Sequence, residues 1–172
     1  MFKKYLSIIL ISFIFNSPTY SAGNSGGDGN GSNEIDVKKD YRIASKKSAK
    51  AKKLESKGKN DKAEKLYKQA LQYLYKSHKL YPANPDTLNY LGFANRKIGK
   101  FKDSEIYYLL GLSIDPTHNG INEYLGELYV STDRMDLAKE RLEVLKSCKC
   151  EEYEDLKGII EGTKKSKYWN SN

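Results

Sequence analysis

Cysteine, histidine, tryptophan and proline are all scarce in this chain of 172 residues, which contains two Cys, two His, one Trp and four Pro. Two cysteines are too few for a disulfide-rich miniprotein or a four-cysteine zinc site. His78 and His118 lie far apart in the sequence, in different units, and neither belongs to a Ser/Cys/Asp constellation typical of a catalytic site. After the first segment, no apolar run reaches the roughly 20 residues that a spanning helix needs. The sequence therefore predicts no catalytic residue, no cofactor and no metal site.

Residues 1–22 have the order of parts that a secretory signal peptide has. Two lysines come near the start, a mostly apolar stretch covers residues 5–15, and small residues follow Pro18. A helix of that stretch would span only about 16 Å, roughly half of a bilayer core, which makes a retained membrane anchor the weaker alternative and a buried helix the weakest. We expect cleavage near residues 21–23 and an exported protein, located in the periplasm or outside the cell.

Residues 23–35 are predicted to be a flexible linker rich in Gly, Asn and Ser. The segment begins GNSGGDGNGSNE, which contains no apolar side chain. Such a sequence cannot bury apolar surface to offset the entropy that ordering would cost. No strand precedes it and no Lys-Ser/Thr pair opens a helix after it, so the pattern of a phosphate-binding glycine loop is absent.

The rest of the chain repeats itself with a period of 34 residues. Its apolar positions recur at three and four residues, which indicates helices. Shifting residues 85–118 by one period places the Leu-Gly pair at positions 91–92 on the Leu-Gly pair at positions 125–126. We expect the Gly of each pair to admit the second helix of its own unit, while larger residues fill the space between units.

This pattern resembles the tetratricopeptide repeat (TPR), whose first helix carries a Leu-Gly pair and whose second helix carries small and aromatic residues. The matching positions are Leu88, Leu91, Gly92, Ser104, Tyr108, Gly111 and Pro116 in the first unit, and Leu125, Gly126, Tyr129, Ala138, Leu142 and Leu145 in the second. Residues 137–160, which contain a close Cys pair followed by a Glu-Tyr-containing segment, also resemble the end of small exported bacterial TPR proteins. The resemblance implies an all-α fold, a right-handed stack of antiparallel helical hairpins that ends in a capping helix.

The predicted units follow one another along the chain. An irregular TPR-like hairpin covers residues 36–84. Its second helix is predicted to be long, because the closing proline comes about two helical turns late. Two TPR units cover residues 85–118 and 119–150. A capping helix covers residues 151–163, and residues 164–172 are expected to fray.

In the TPR family the first helix of each hairpin lines a concave, peptide-binding groove. The family's usual contact positions correspond to Asp86, Asn89, Phe93, Arg96 and Lys97 in one unit and to Glu123, Glu127 and Ser131 in the next. The first set leans basic and the second acidic, so the resemblance implies a ligand with opposite charges at its ends. Phe93 is expected to be an exposed anchor, because aromatic and Arg residues are the usual hot spots of interfaces.

Cys148 and Cys150 are separated by one residue, near the end of the second unit. In an oxidising compartment such thiols are expected to pair. The short spacing makes a strained local ring, and strain makes a disulfide easier to reduce. A structural staple, a redox switch, and an unpaired or intermolecular state all remain open.

A basic block precedes the repeats. Its members are Lys38, Lys39, Arg42, Lys46, Lys47, Lys50, Lys52, Lys53, Lys57 and Lys59. The block is interpreted either as a solvated helix face or as a contact with an anionic envelope surface. Export argues against nucleic acid as its natural ligand.

Three functions therefore compete. The favoured one is a non-catalytic interaction module of the cell envelope that binds a peptide or protein segment in the TPR groove. The second is a structural envelope protein attached through its basic N-terminal helix. The third is a thiol-redox partner that uses the Cys-x-Cys pair. The identity of the partner does not follow from the sequence.

Overall fold

The computed structural model describes residues 30–166, which form seven α-helices and no strand. The helices are α1 (Asn30–Glu55), α2 (Asn60–Leu80), α3 (Pro85–Lys97), α4 (Phe101–Ile114), α5 (Asn119–Ser131), α6 (Met135–Leu145) and α7 (Glu151–Ile160). Only short turns connect them, so each helix packs beside the one before it.

Consecutive helices pack as hairpins, with α1 against α2, α3 against α4, and α5 against α6. The hairpins then stack, because α2 contacts α3, α4 contacts α5, and α7 covers both α5 and α6. A single hairpin would leave one apolar face in water, and stacking buries it. The predicted all-α stack of TPR-like hairpins is confirmed.

Two of the glycines that permit close approaches between helices are those of the Leu-Gly pairs. A Cβ atom at Gly92 on α3 would overlap the ring of Tyr108 on α4, the second helix of the same hairpin. A Cβ atom at Gly126 on α5 would lie 2.5 Å from Cδ2 of Leu156 on α7. The expectation that Gly126 admits the second helix of its own unit is therefore wrong. The space beside Gly126 is occupied by the side chain of Leu156, which belongs to α7, the last helix of the stack.

Local signals determine where α3 begins and ends. Asn84 precedes the helix, and its side-chain oxygen accepts a hydrogen bond from the Thr87 amide at 2.9 Å. Pro85 occupies the first turn, where the missing N–H has no partner to lose. Gly99 follows the helix with a φ of 79°, a left-handed conformation that side chains with a Cβ disfavour. These ends set the length of the helix that carries half of the predicted groove.

The predicted linker is shorter than expected at its C-terminal end. α1 begins at Asn30, so the linker prediction for residues 23–35 is wrong over residues 30–35. Once packing against α2 has nucleated the helix, each further residue adds a backbone hydrogen bond at little additional cost. The rest of the predicted linker and the predicted signal peptide lie outside the described residues.

The C-terminal end also differs from the prediction. α7 ends at Ile160, and a turn through Gly162 reverses the chain with a φ of 71°. Lys164 and Ser166 then make side-chain contacts with α7 and α5. The expectation that residues 164–172 fray is thus wrong for residues 164–166, and the remainder lies outside the described residues.

The outward side of α4 is apolar, although its inward side already packs into the core. Exposed aliphatic side chains on this helix are Ile106, Leu109, Leu110 and Ile114. The helix has 14 residues, and no helix within residues 30–166 is long and apolar enough to cross a membrane. These four exposed side chains form an apolar patch on the outer surface of the stack.

The close approach at Gly126 predicts a stability defect on substitution. Gly126→Ala should lower the free energy of unfolding by about 1–3 kcal/mol, because the new methyl group overlaps the buried side chain of Leu156. Urea unfolding followed by circular dichroism measures the change. Gly120→Ala on the same helix is the matched control, since its methyl group meets the movable amide of Asn89 and lies at ordinary contact distance from His118. Equal stability of the two variants would contradict this packing.

Buried tyrosine predicts a loss of stability at alkaline pH. Burial raises the pKa of the Tyr108 phenol well above its usual 10.0, although Arg96 and Ser104 act in the opposite direction. Above pH 10 the unfolded chain releases a proton that the folded chain keeps. The free energy of unfolding therefore falls as pH rises, by up to about 1.4 kcal/mol per pH unit for this group. Tyr108→Phe should reduce the difference in stability between pH 9 and pH 11, and an unchanged difference would contradict the assignment.

Candidate functional site

The first helices of the three hairpins and the closing helix line one side of the stack, here called the inner face. It comprises α1, α3, α5 and α7, and neighbouring members of this series contact one another. Side chains that mark the inner face are Lys52, Phe93, Arg96, Glu127 and Asp155. Most of the residues predicted to bind a peptide lie on this face.

A buried ion pair joins the second hairpin to the third across the inner face. Nη2 of Arg96 on α3 lies 2.6 Å from Oε2 of Glu127 on α5, and the two side chains are only 2% and 1% exposed. Nη1 of Arg96 also donates to the backbone oxygen of Tyr124 at 3.0 Å. A buried charge is tolerated when it is paired and hydrogen-bonded, and both conditions hold here.

The electrostatic environment keeps Arg96 charged. Burial disfavours the charged guanidinium, but the adjacent Glu127 carboxylate together with Tyr108 and Tyr124 outweighs that effect, and the pKa of Arg96 is raised above its usual value. The sequence interpretation of Arg96 as a groove residue that contacts a ligand directly is wrong in one respect. Its guanidinium already has a buried partner, so its charge is satisfied within the chain.

Phe93 is buried, so the prediction of an exposed aromatic anchor is wrong. Its ring is 2% exposed and packs 5.7 Å from Tyr67 and 5.6 Å from Tyr124, measured between ring centroids. The ammonium group of Lys52 lies 4.6 Å above the Phe93 ring, a cation–π contact. Burial lowers the pKa of Lys52, which Glu123 partly opposes. Lys52 from α1 thus covers the Phe93 ring, which a peptide side chain would otherwise have to contact.

The other predicted groove residues are not brought together at one site. Lys97 forms a largely buried ion pair with Glu55 of α1. Asp86 is exposed at the far end of α3 and lies 3.3 Å from Nε2 of His118. Ser131 donates to the backbone oxygen of Leu128 within its own helix at 2.8 Å.

Two further predicted positions, Asn89 and Glu123, differ in exposure. Asn89 is half-buried, whereas Glu123 is 5% exposed. Glu127 is more buried than either of them, and it is contacted together with Arg96 by Ser166, which follows α7.

Sequence reasoning missed the segment that reaches this centre. The hydroxyl of Ser166 donates to Oε2 of Glu127 at 2.5 Å and accepts a longer bond from Arg96 at 3.4 Å. Nζ of Lys164 lies 2.9 Å from Oδ1 of Asp155, whose side chain is 9% exposed. A sequence signal for this reversal was present, namely Gly162 and Thr163, which interrupt the helix before Lys, Lys and Ser.

A cavity of about 400 Å³ lies beside this segment. Its lining residues are Glu127, Glu151, Asp155, Ile159, Lys164 and Lys165. Apart from the two lysines of the returning segment, the charged lining groups are all carboxylates. Among residues 30–166, no group of three or more His, Cys, Asp or Glu side chains is arranged to hold a metal ion.

Cys148 and Cys150 form a disulfide in the turn between α6 and α7. The bond closes a loop of three residues, and Lys149 between them has a φ of 51°. The chain-entropy relation gives a stabilisation of about 1.6 kcal/mol for so small a loop, near the lower end of the usual range. The disulfide therefore shapes this turn and ties no distant elements together.

Comparisons with known proteins find a likeness among solved structures. No protein-family model matches the sequence, and a search of curated proteins finds no match. Among solved structures, the chain is similar to the first TPR domain of Spaghetti (RPAP3), which is bound to the HSP90 peptide SRMEEVD. The likeness covers 71% of this chain and 93% of that chain, with 20% sequence identity and a TM-score of 0.48. The site of this chain is therefore argued from its own residues.

Breaking the buried ion pair should destabilise the protein strongly. Arg96→Met or Glu127→Leu alone should lower the free energy of unfolding by about 3–5 kcal/mol, because each leaves an unpaired buried charge. The double variant should recover most of that loss. Chemical denaturation of the four proteins gives the coupling energy as a double-mutant cycle. Additive effects of the two substitutions would contradict a direct interaction.

Proposed function

We propose that this chain is a non-catalytic interaction module that binds a peptide or protein segment on the inner face, next to α7. One observation carries the proposal. Residues 164–166, which belong to no helix, already cross this part of the inner face and bind it through side chains. A separate segment of similar chemistry would find the same donors and acceptors.

The site has the features that recognition of an extended segment requires. Arg96 and Glu127 are held rigidly by their mutual ion pair, so little entropy is lost when a ligand binds them. The neighbouring cavity of about 400 Å³ is lined by the apolar side chain of Ile159 as well as by carboxylates. Directed polar groups beside an apolar wall provide both orientation and affinity.

We place this module in the cell envelope, on the basis of the signal-peptide pattern of residues 1–22. A contact with an anionic envelope surface is the second part of that proposal. Exposed cations follow one another along α1 at spacings of three and four residues and therefore share a face. They are Lys39, Arg42, Lys46, Lys50 and Lys53. This stripe is distinct from Lys52, which points to the inner face.

The proposal predicts selective peptide capture at the α7 end of the inner face. A library of random peptides displayed on phage is selected against the full chain carrying Lys164→Glu and Ser166→Glu, which set the returning segment against like charges on Asp155 and Glu127. Enriched peptides should lose at least about tenfold in affinity when Glu151→Lys is added, a change of about 1.4 kcal/mol.

Glu154→Lys is the matched control for that selection. Glu151 and Glu154 are both exposed acids in the first turn of α7, but only Glu151 lines the cavity. The control should bind the enriched peptides as the parent does. Failure to enrich any peptide, or equal loss in both variants, would contradict a binding site at this position.

A further inference from the structure

We infer that the inner-face site selects a basic segment with a hydroxyl side chain, and that residues 164–166 of this chain are its resident occupant. This inference rests on the proposed function and specifies its ligand. The site is then closed in the resting protein, and a partner segment binds by displacing the chain's own Lys-Lys-Ser sequence.

The preference for a cation follows from Asp155. This carboxylate lies on α7 and is only 6% exposed as a residue, and Lys164 supplies a positive charge at 2.9 Å. A carboxylate with so little access to water is costly to leave without a nearby cation. When residues 164–166 leave, a positive group on an incoming segment is the replacement that the site favours most.

The preference for a hydroxyl group follows from the geometry at Arg96 and Glu127. A group placed between them must donate to a carboxylate and accept from a guanidinium at once. The Ser166 hydroxyl does both, at 2.5 Å and 3.4 Å. A hydroxyl carries one donor hydrogen and two acceptor lone pairs, whereas a lysine ammonium has no acceptor and an ionised carboxylate has no donor.

The cavity lining adds a reason to reject acidic ligands. Glu151 and Asp155 line it together with Ile159, and Lys165 of the resident segment reaches the same space. An acidic peptide would meet two carboxylates here, and like-charge juxtaposition is a strong barrier to wrong partners. The ligand class is therefore a lysine-bearing or arginine-bearing segment with Ser or Thr two residues away.

The backbone holds the resident segment in register. The amides of Thr163 and Lys164 both donate to the backbone oxygen of Gly158, at 2.9 Å each. These two hydrogen bonds to one backbone oxygen in the last turns of α7 end the helix and direct the chain back toward α5. Occupancy therefore arises from local chain geometry as well as from the two side-chain contacts.

The test uses a synthetic peptide with the sequence of residues 163–170, TKKSKYWN. Its binding is measured by titration against the full wild-type chain and against the Lys164→Glu, Ser166→Glu chain. The peptide should bind the double variant at least about tenfold more tightly, because the wild-type site is occupied by a covalently attached copy. Lys164→Gln with Ser166→Ala gives a milder second release variant, should the first fold poorly.

Peptide variants test the two chemical preferences separately. Replacing the first lysine of the peptide by acetyl-lysine removes its charge, and replacing serine by alanine removes the hydroxyl. Each should weaken binding to the released chain, and a scrambled peptide of the same composition should not bind. Glu151→Lys in the released chain should weaken peptide binding, whereas Glu154→Lys should leave it unchanged.

The outcomes separate this inference from the proposed function. Equal affinity of the peptide for wild-type and released chains, or equal binding of the scrambled peptide, overturns the resident-segment inference. If phage selection yields acidic or uncharged peptides that bind the released chain while TKKSKYWN does not, the ligand class is wrong and the interaction module stands. If neither library peptides nor TKKSKYWN bind, both proposals fall.

Discussion

The ion pair between Arg96 and Glu127 is the interaction on which the inner face depends. It links α3 to α5 inside the stack, with both charges almost completely removed from water. Such a pair contributes little net stability compared with apolar residues, but loss of either partner is severe. It therefore constrains the relative position of the second and third hairpins more than it stabilises them. The same two side chains present a directed donor and a directed acceptor to any group that approaches from α7.

The architecture follows from the sequence because a repeat period is a global signal. Gly92 and Tyr108 lie at TPR positions, and their contact across α3 and α4 is what close packing of a hairpin requires. The irregular first hairpin follows the same logic, since α2 ends at Leu80, two residues before the displaced proline. Small residues and prolines are local features, and the period repeats them along the chain, so both signals can be found in the sequence alone.

The candidate site follows from the sequence only in part. A helical pattern tells which side of α3 carries Phe93 and Arg96, but not how far the neighbouring helices stand from that side. Here Lys52 covers Phe93, and Glu127 forms an ion pair with Arg96. The sequence therefore gives the helix face on which Phe93 and Arg96 lie, but the exposure predicted for Phe93 is wrong. The contribution of residues 164–166 depends on a reversal of chain direction after α7, and no periodic pattern encodes it.

The reversal after α7 has a consequence for the assembly state. A stack of similar hairpins presents similar surfaces at its two ends, and such surfaces can join head to tail into open filaments. At the C-terminal end, α7 places Glu151 and Glu154 at the surface, and the chain then turns back instead of starting another second helix. The next hairpin in line would meet charged groups and a returning backbone in place of an apolar face. The surface that α7 presents is therefore a poor partner for a further hairpin, and head-to-tail growth of the stack is disfavoured at this helix.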